Sequence, residues 1–140
     1  MIIIKNNAKT LDEGIKNLMS GAKEDFKQWS TDKLGQISNY SIGELDNWDS
    51  KIKISQGKKY IKIVRDRGVF AFIMKEDSDN FKKGDVLKPA GYNKPALNKP
   101  RGNVLTGNYP IQWTGPIYLD KYAPLYLNKT TSIESVKEYN

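Results

Sequence analysis

The chain has 140 residues, of which 38% are apolar, so it is long enough for a single domain (residues 1–140) with one hydrophobic core. It contains neither cysteine nor histidine. These absences exclude disulfides, thiolate metal sites, cysteine nucleophiles and the histidine-dependent hydrolases and metalloproteases. The formal charge of +7 favours encounters with anionic partners.

The N-terminal segment Met1–Ile4 is apolar, but Lys5 follows it at once. It is therefore much shorter than the apolar core of a signal peptide, which needs about 7–15 residues. No stretch of the sequence reaches the ~20 apolar residues that a membrane span needs. We therefore expect a cytoplasmic location and no membrane partner.

An amphipathic helix is predicted over about residues 10–35. Thr10 and Glu13 have the spacing of a capping box at its start, and Gly35 is expected to mark its end. The other face is charged, so the pattern favours a surface helix packed on a sheet. A patch around Trp29 for a partner or for self-association is the alternative. The apolar residues recur at three- and four-residue spacing: Leu11, Ile15, Leu18, Met19, Ala22, Phe26 and Trp29.

From about residue 50 to 88 the apolar period becomes that of strands, and an antiparallel meander is predicted. The turn at Asp66–Gly68 suits a tight hairpin with Gly68 at a positive φ. Isoleucines alternate with polar residues in the first two strands, which predicts one buried face and one basic face. The four strands are expected at Lys51–Ile54, Tyr60–Arg65, Val69–Met74 and Asp85–Lys88.

A loop rich in lysine and proline is predicted over residues 88–103. Proline fixes φ and pushes the preceding residue into extended geometry. Because three prolines lie within twelve residues here, we expect no regular structure in this segment. The loop is expected to be rigid and to hold its cations outward, namely Lys88, Lys94, Lys99 and Arg101.

A turn-rich apolar segment follows over residues 104–127, and it is expected to pack back on the domain and to supply a last short strand. Tyr118, Tyr122 and Tyr126 lie at four-residue spacing in it and could pack on a partner or on a twin subunit. Residues 128–140 are expected to form a tail. The predicted fold class is α+β, with the N-terminal helix packed on a twisted antiparallel β-meander, followed by the long Lys/Pro-rich loop and a short C-terminal element.

Positive charge is concentrated in the middle of the chain. Residues 51–101 carry fourteen Lys and Arg against five Asp and Glu, whereas residues 1–50 carry six against eight. A solvated surface explains such a segment as well as a site does, but here aromatic residues lie among the cations. The sequence therefore predicts a small basic binding protein that contacts nucleic-acid phosphates and stacks bases on aromatic rings, with DNA favoured over RNA.

The candidate nucleic-acid-binding residues come from the sheet, its turns, the loop and the segment beyond. Tyr60 is a further stacking candidate, whereas Tyr92 and Trp113 also suit a packing role under the loop. Because arginine is scarce, we expect weak sequence specificity. The candidates are Lys58, Lys59, Lys62, Arg65, Arg67, Lys88, Tyr92, Lys94, Lys99, Arg101 and Trp113.

Two alternatives stay open. The first is a protein-interaction factor, such as an inhibitor or adaptor on an acidic host protein or a minor virion component, with a homodimer as a related expectation. The second is an enzyme, and it is disfavoured: Glu76–Asn80 fails the EF-hand pattern at Phe81, Asp25–Lys27 mimics a nuclease motif without a second acid, and glycine-rich phosphate loops are absent. We expect no catalytic residue, no metal and no cofactor.

Three short blocks, Gly84–Ala90, Arg101–Val104 and Trp113–Pro116, resemble a segment shared by small, uncharacterised phage-encoded proteins. The resemblance covers roughly the middle and later half of the chain. It implies a phage protein acting in the cytoplasm of the host cell, and it implies no particular activity.

Overall fold

The computed structural model describes residues 1–118 and the strand Lys137–Tyr139. Helices and antiparallel sheets are both present, so the predicted α+β class is confirmed. The helices are α1 (Leu11–Ser30) and α2 (Asn39–Asp46), and a single 3-10 turn spans Asp49–Lys51. The described strands are β1 (Ile2–Ile4), β2 (Ile52–Gln56), β3 (Tyr60–Arg65), β4 (Gly68–Met74), β5 (Val86–Leu87), β6 (Pro89–Gly91), β7 (Lys94–Pro95), β8 (Tyr109–Ile111) and β9 (Lys137–Tyr139).

Helix α1 begins where the capping residues predict. The Thr10 hydroxyl accepts the Glu13 backbone N–H at 3.1 Å, and the Glu13 carboxylate accepts the N–H of Lys9 at 3.1 Å. These two bonds satisfy amides that have no partner within the first helical turn.

The predicted end of this helix at Gly35 is wrong, because α1 ends at Ser30. The Thr31 hydroxyl donates to the Lys27 carbonyl at 2.6 Å, and the Asp32 carboxylate accepts the Leu34 and Gln36 amides at 2.9 and 2.8 Å. These side chains take up backbone groups that a longer helix would use, so a turn forms instead. Gly35 adopts φ +80° within that turn.

Four strands form the predicted meander in the order β2-β3-β4-β5, with antiparallel pairs throughout. The hairpin between β3 and β4 differs from the prediction at one residue. The positive φ falls on Asp66 (+60°) and not on Gly68. Aspartate tolerates this conformation better than most residues with a Cβ do.

A second sheet, which the sequence analysis did not anticipate, has the order β8-β1-β9. Its central strand β1 pairs antiparallel with β8 and parallel with β9. The predicted last short strand is therefore present as β8. Ile2 and Ile4 of β1 are fully buried, and α1 packs on β1 and β8. The N-terminal isoleucines are therefore part of the core.

One core joins the two sheets and both helices. Ile4 of β1, Leu18 and Phe26 of α1, and Ile63 and Ile73 of the meander belong to the same buried cluster. Helix α1 therefore shares its core with the meander, as predicted. The strands on which it packs directly are β1 and β8.

The opposite face of the meander is not simply basic, which corrects the prediction. Phe72, Met74 and Leu87 are buried there in a second cluster, and Tyr60 and Phe81 pack against it. A third element must therefore cover this face.

Candidate nucleic-acid interface

A short hairpin covers the second face of the meander. Strands β6 and β7 pair antiparallel, so the segment predicted to lack regular structure contains two short strands. Prolines are compatible with this two-stranded sheet because both of its strands are edges. β6 packs on β4 of the meander.

Lys62 ties this hairpin to β3. Its ammonium donates to the Tyr92 carbonyl at 3.1 Å and to the Asn93 side-chain oxygen at 2.8 Å, and it lies 4.0 Å from the centroid of the Tyr92 ring. The Tyr92 side chain is 58% exposed, so it does not plug the core under the loop. A cation–π contact thus fixes an aromatic ring on the surface of the basic segment.

Five predicted cations are exposed around this hairpin and the turns of the meander. Their side chains make no ion pair and no hydrogen bond with any of residues 1–118. Their charges are therefore available to an anionic ligand. They are Lys58 and Lys59 in the β2–β3 turn, Arg67 in the β3–β4 turn, and Lys94 and Lys99 in the Lys/Pro segment.

Arg65 is not on an exposed sheet face, contrary to the prediction. Its guanidinium carbon lies 3.9 Å from the centroid of the Trp48 ring, and a terminal nitrogen lies 3.9 Å from the Glu44 carboxylate. Trp48 is fully buried beyond α2. Arg65 is therefore only partly exposed and packs the core side of the sheet against α2.

Arg101 does not point outward either, because its residue is only 5% exposed. The guanidinium donates to the carbonyls of Ile117 at 3.1 Å and Lys99 at 2.8 Å, and to the Asn98 side-chain oxygen. Burial lowers the pKa of this guanidinium. Its role in the structure is to join the Lys/Pro segment to the segment that follows β8.

Lys88 is half-buried, so it too departs from the predicted outward position. Its ammonium donates to the Pro116 carbonyl at 2.8 Å and lies 4.1 Å from the centroid of the Tyr118 ring. Burial lowers the pKa of Lys88, and the nearby charge of Arg101 lowers it further. Lys88 is the least available of the lysines predicted for the site.

Trp113 is separated from Tyr92, although both were predicted to stack bases. It packs against the helix, with its ring centroid 5.2 Å from that of Phe26 and 5.0 Å from that of Trp29. Its backbone N–H donates to the buried Asp25 carboxylate at 2.8 Å, which also binds the Met1 amine at 2.6 Å. This position is a packing position. Trp29 itself is 66% exposed.

One charged network was not identified from the sequence. Glu44 of α2 accepts a hydrogen bond from the Lys51 ammonium at 2.7 Å. The bond from Lys51, and a second one from Tyr40, lower the pKa of Glu44; the same contacts with Glu44 raise the pKa values of Lys51 and of Tyr40. This network positions α2 at the start of β2.

A cavity of about 380 Å³ lies beside the exposed lysines of the β2–β3 turn and also escaped the sequence analysis. Lys58, Lys59 and Tyr60 line it from the turn and β3, and Leu97 lines it from the Lys/Pro segment. The remaining lining comes from Met74 and from the loop 76–81. The only sign of this cavity in the sequence is the acidic run in that loop, and such a run by itself indicates no more than a surface turn.

No family model, curated protein or solved structure matches the chain significantly. The resemblance to phage-encoded proteins therefore stays a prediction. Within the described residues, no helix is both long enough and apolar enough to cross a membrane. The same residues contain no group of three or more acidic side chains placed to hold a metal ion. The run Tyr118–Leu127 lies outside the described residues except for Tyr118.

Proposed function

We propose that this chain is a non-enzymatic protein that binds nucleic acid, DNA in preference to RNA, mainly through the backbone phosphates. The observations that carry the proposal are five exposed cations in the turns of the meander and in the Lys/Pro segment, none with an acidic partner within residues 1–118, and Tyr92, which Lys62 holds at the surface. Lysine ammonium groups neutralise phosphates as point charges and release counterions, whereas an exposed ring offers a flat surface for a base.

Two features of the site support weak sequence specificity. Four of the five exposed cations are lysines, which lack the planar fork with which arginine reads a guanine edge. The arginines that could supply such a fork elsewhere, Arg65 and Arg101, are engaged with protein groups. Affinity should therefore depend strongly on salt and little on base order.

The test measures binding of fluorescent single- and double-stranded DNA across a salt series, with RNA of the same sequence beside them. The variant Lys58→Glu/Lys59→Glu/Lys94→Glu reverses three charges of the proposed site. Its matched control, Lys16→Glu/Lys27→Glu/Lys33→Glu, makes the same change in net charge at exposed positions on and after α1. We expect the first variant to lose binding and to flatten the salt dependence, and the control to lose far less.

Equal losses in the two variants would show that net charge, and not this surface, attracts the nucleic acid. Absence of binding to any probe at low salt would reject the proposal.

The second candidate is a protein-interaction factor, and the exposure of Trp29 favours it. This ring lies beside Trp113 and Phe26 and remains 66% exposed, which is unusual for so large an apolar side chain. Affinity capture from a bacterial lysate with the wild type and with Trp29→Ala tests this candidate. A protein retained by the wild type and lost with the variant would support it, as would a concentration-dependent dimer that Trp29→Ala abolishes.

A further inference from the structure

The cavity beside the β2–β3 turn combines apolar, cationic and acidic walls, each from a different part of the chain. We infer that it holds one base of a single-stranded nucleic acid while Lys58 and Lys59 contact the adjoining phosphates. This inference rests on the proposed function and assigns it a base-binding subsite. Its volume of about 380 Å³ lies within the range of small-ligand pockets, roughly 300–1,000 Å³.

The apolar wall offers surface for stacking. Tyr60 and Phe81 both line the cavity, and both are only partly buried. Tyr60 packs edge-on against Phe72 at a centroid distance of 6.0 Å, and this contact supports its ring at the cavity wall. Leu97, 59% exposed, adds apolar surface from the Lys/Pro segment. Aromatic rings stack bases of any sequence, and fixed rings lose little entropy when they do so.

The cationic wall consists of two lysines that are adjacent in sequence to Tyr60 of the apolar wall. Lys58 and Lys59 directly precede Tyr60, and neither ammonium has an ion pair within residues 1–118. A base stacked at Tyr60 would therefore have its own phosphate, or the neighbouring one, within reach of a flexible lysine side chain.

The acidic wall comes from the loop 76–81 and fixes the direction of the nucleotide. Asp77 accepts the backbone N–H of Lys83 at 2.8 Å, which closes the loop, whereas Glu76 and Asp79 have no side-chain hydrogen bond within residues 1–118. Carboxylates repel phosphates but accept hydrogen bonds from the amino groups of bases. The base edge should therefore face the loop, the phosphate should face the lysines, and cytosine should bind more tightly than thymine.

The experiment compares three single-stranded probes of equal length and charge: oligo-dC, oligo-dT and an abasic strand with the same phosphates. At low salt we expect the wild type to bind oligo-dC about tenfold more tightly than the abasic strand, with oligo-dT between them. Glu76→Ala/Asp79→Ala should remove the difference between oligo-dC and oligo-dT, because alanine leaves no side-chain acceptor for the cytosine amino group.

Phe81→Leu removes a flat ring and keeps an apolar side chain over the Phe72 cluster, so the fold is retained. Its preference for oligo-dC over the abasic strand should fall well below that of the wild type, because one of the two stacking rings is gone, and binding to the abasic strand should be unchanged. Trp29→Leu, which removes an exposed ring from α1, is the control and should keep the full preference.

The experiment distinguishes failure of the base-binding cavity from failure of the proposed function. Equal wild-type affinity for oligo-dC and the abasic strand, or a full preference for oligo-dC in Phe81→Leu, would overturn the base-binding cavity and leave phosphate binding intact. Absence of binding to every probe would reject the proposed function itself.

Discussion

The buried guanidinium of Arg101 joins three oxygen atoms of the Lys/Pro segment and of the segment after β8. We predict that Arg101→Met lowers the free energy of unfolding by about 2–3 kcal/mol, because three acceptors lose a charged donor. Urea unfolding measures the change. Lys99→Met, at an exposed neighbouring position, should change stability by less than about 0.5 kcal/mol. If Arg101→Met were as stable as the wild type but no longer bound DNA, the structural role would be wrong and Arg101 would belong to the binding site.

The Glu44 carboxylate makes part of the stability depend on pH. Its pKa in the folded state is lowered by hydrogen bonds from Lys51 and Tyr40, so its contribution is present at neutral pH and above the ordinary glutamate pKa of about 4.3. The contribution disappears as the pH falls from that value through the lowered pKa of the folded state.

We therefore predict that Glu44→Gln is less stable than the wild type at pH 7 and that the two converge in acid. Urea midpoints at pH 7, 5 and 3 check this. Glu76→Gln, which changes an exposed carboxylate without a side-chain hydrogen bond within residues 1–118, is the control and should leave the urea midpoint at pH 7 nearly unchanged. A constant difference between Glu44→Gln and the wild type at all three pH values would contradict the assignment.

Residue types alone predicted only part of the candidate site. Lys58, Lys59 and Lys94 are exposed because turn positions reach solvent. Arg65 is drawn inward by Trp48, and Arg101 by the Ile117 carbonyl 16 residues further along the chain as well as by its neighbours Asn98 and Lys99. No local pattern reveals such long-range acceptors, so the sequence could not separate binding cations from structural ones.

At the scale of the elements, the close approach of α1 to the segment after the Lys/Pro loop depends on Gly14. A Cβ there would lie 2.5 Å from the Val104 carbonyl oxygen. Alanine favours helix by about 1 kcal/mol over glycine. We nevertheless predict that Gly14→Ala lowers the unfolding midpoint, because the helix must shift away from Val104.

Gly43→Ala in α2 is the matched control, since a Cβ at Gly43 has no atom within 4 Å. We expect it to stabilise the protein by up to about 1 kcal/mol in the same urea experiment. A stabilising Gly14→Ala would show that α1 can move without loss of packing.

The elements that the sequence predicted well are those with a strong local signal. The start of α1 follows from Thr10 and the apolar period, and the meander follows from alternation between residues 51 and 74. α2 was missed because it has only eight residues and includes Gly43. β1 was missed because three isoleucines become a central strand only through β8 and β9, which lie more than 100 residues further along the chain.

For the molecule as a whole, β1 connects the N-terminal segment to both later strands of the second sheet. Ile4 is 1% exposed and packs in the common core. We predict that Ile4→Ala lowers the free energy of unfolding by about 2–5 kcal/mol, as is usual for truncation of a buried isoleucine. Urea unfolding and hydrogen exchange of the β8 amides check this, and the exchange should accelerate.

Ile54→Ala provides the comparison on the edge strand β2, where the side chain is 44% exposed. We expect a loss well below that of Ile4→Ala. Equal losses would mean that the second sheet contributes no more to stability than the edge of the meander.

The pairing of β1 with β8 also affects the order of events while the protein is synthesised. Ile4 leaves the ribosome well before its antiparallel partner Tyr109, which is added about 105 residues later. At 5–20 residues per second, that interval lasts roughly 5–20 s. During this time the meander can complete its local hairpins and α1 can pack on it, whereas the isoleucines of β1 have no strand to pair with. A nascent chain of this protein therefore keeps the apolar strand β1 unpaired until Tyr109–Ile111 has been synthesised, which is a state that a chaperone would bind.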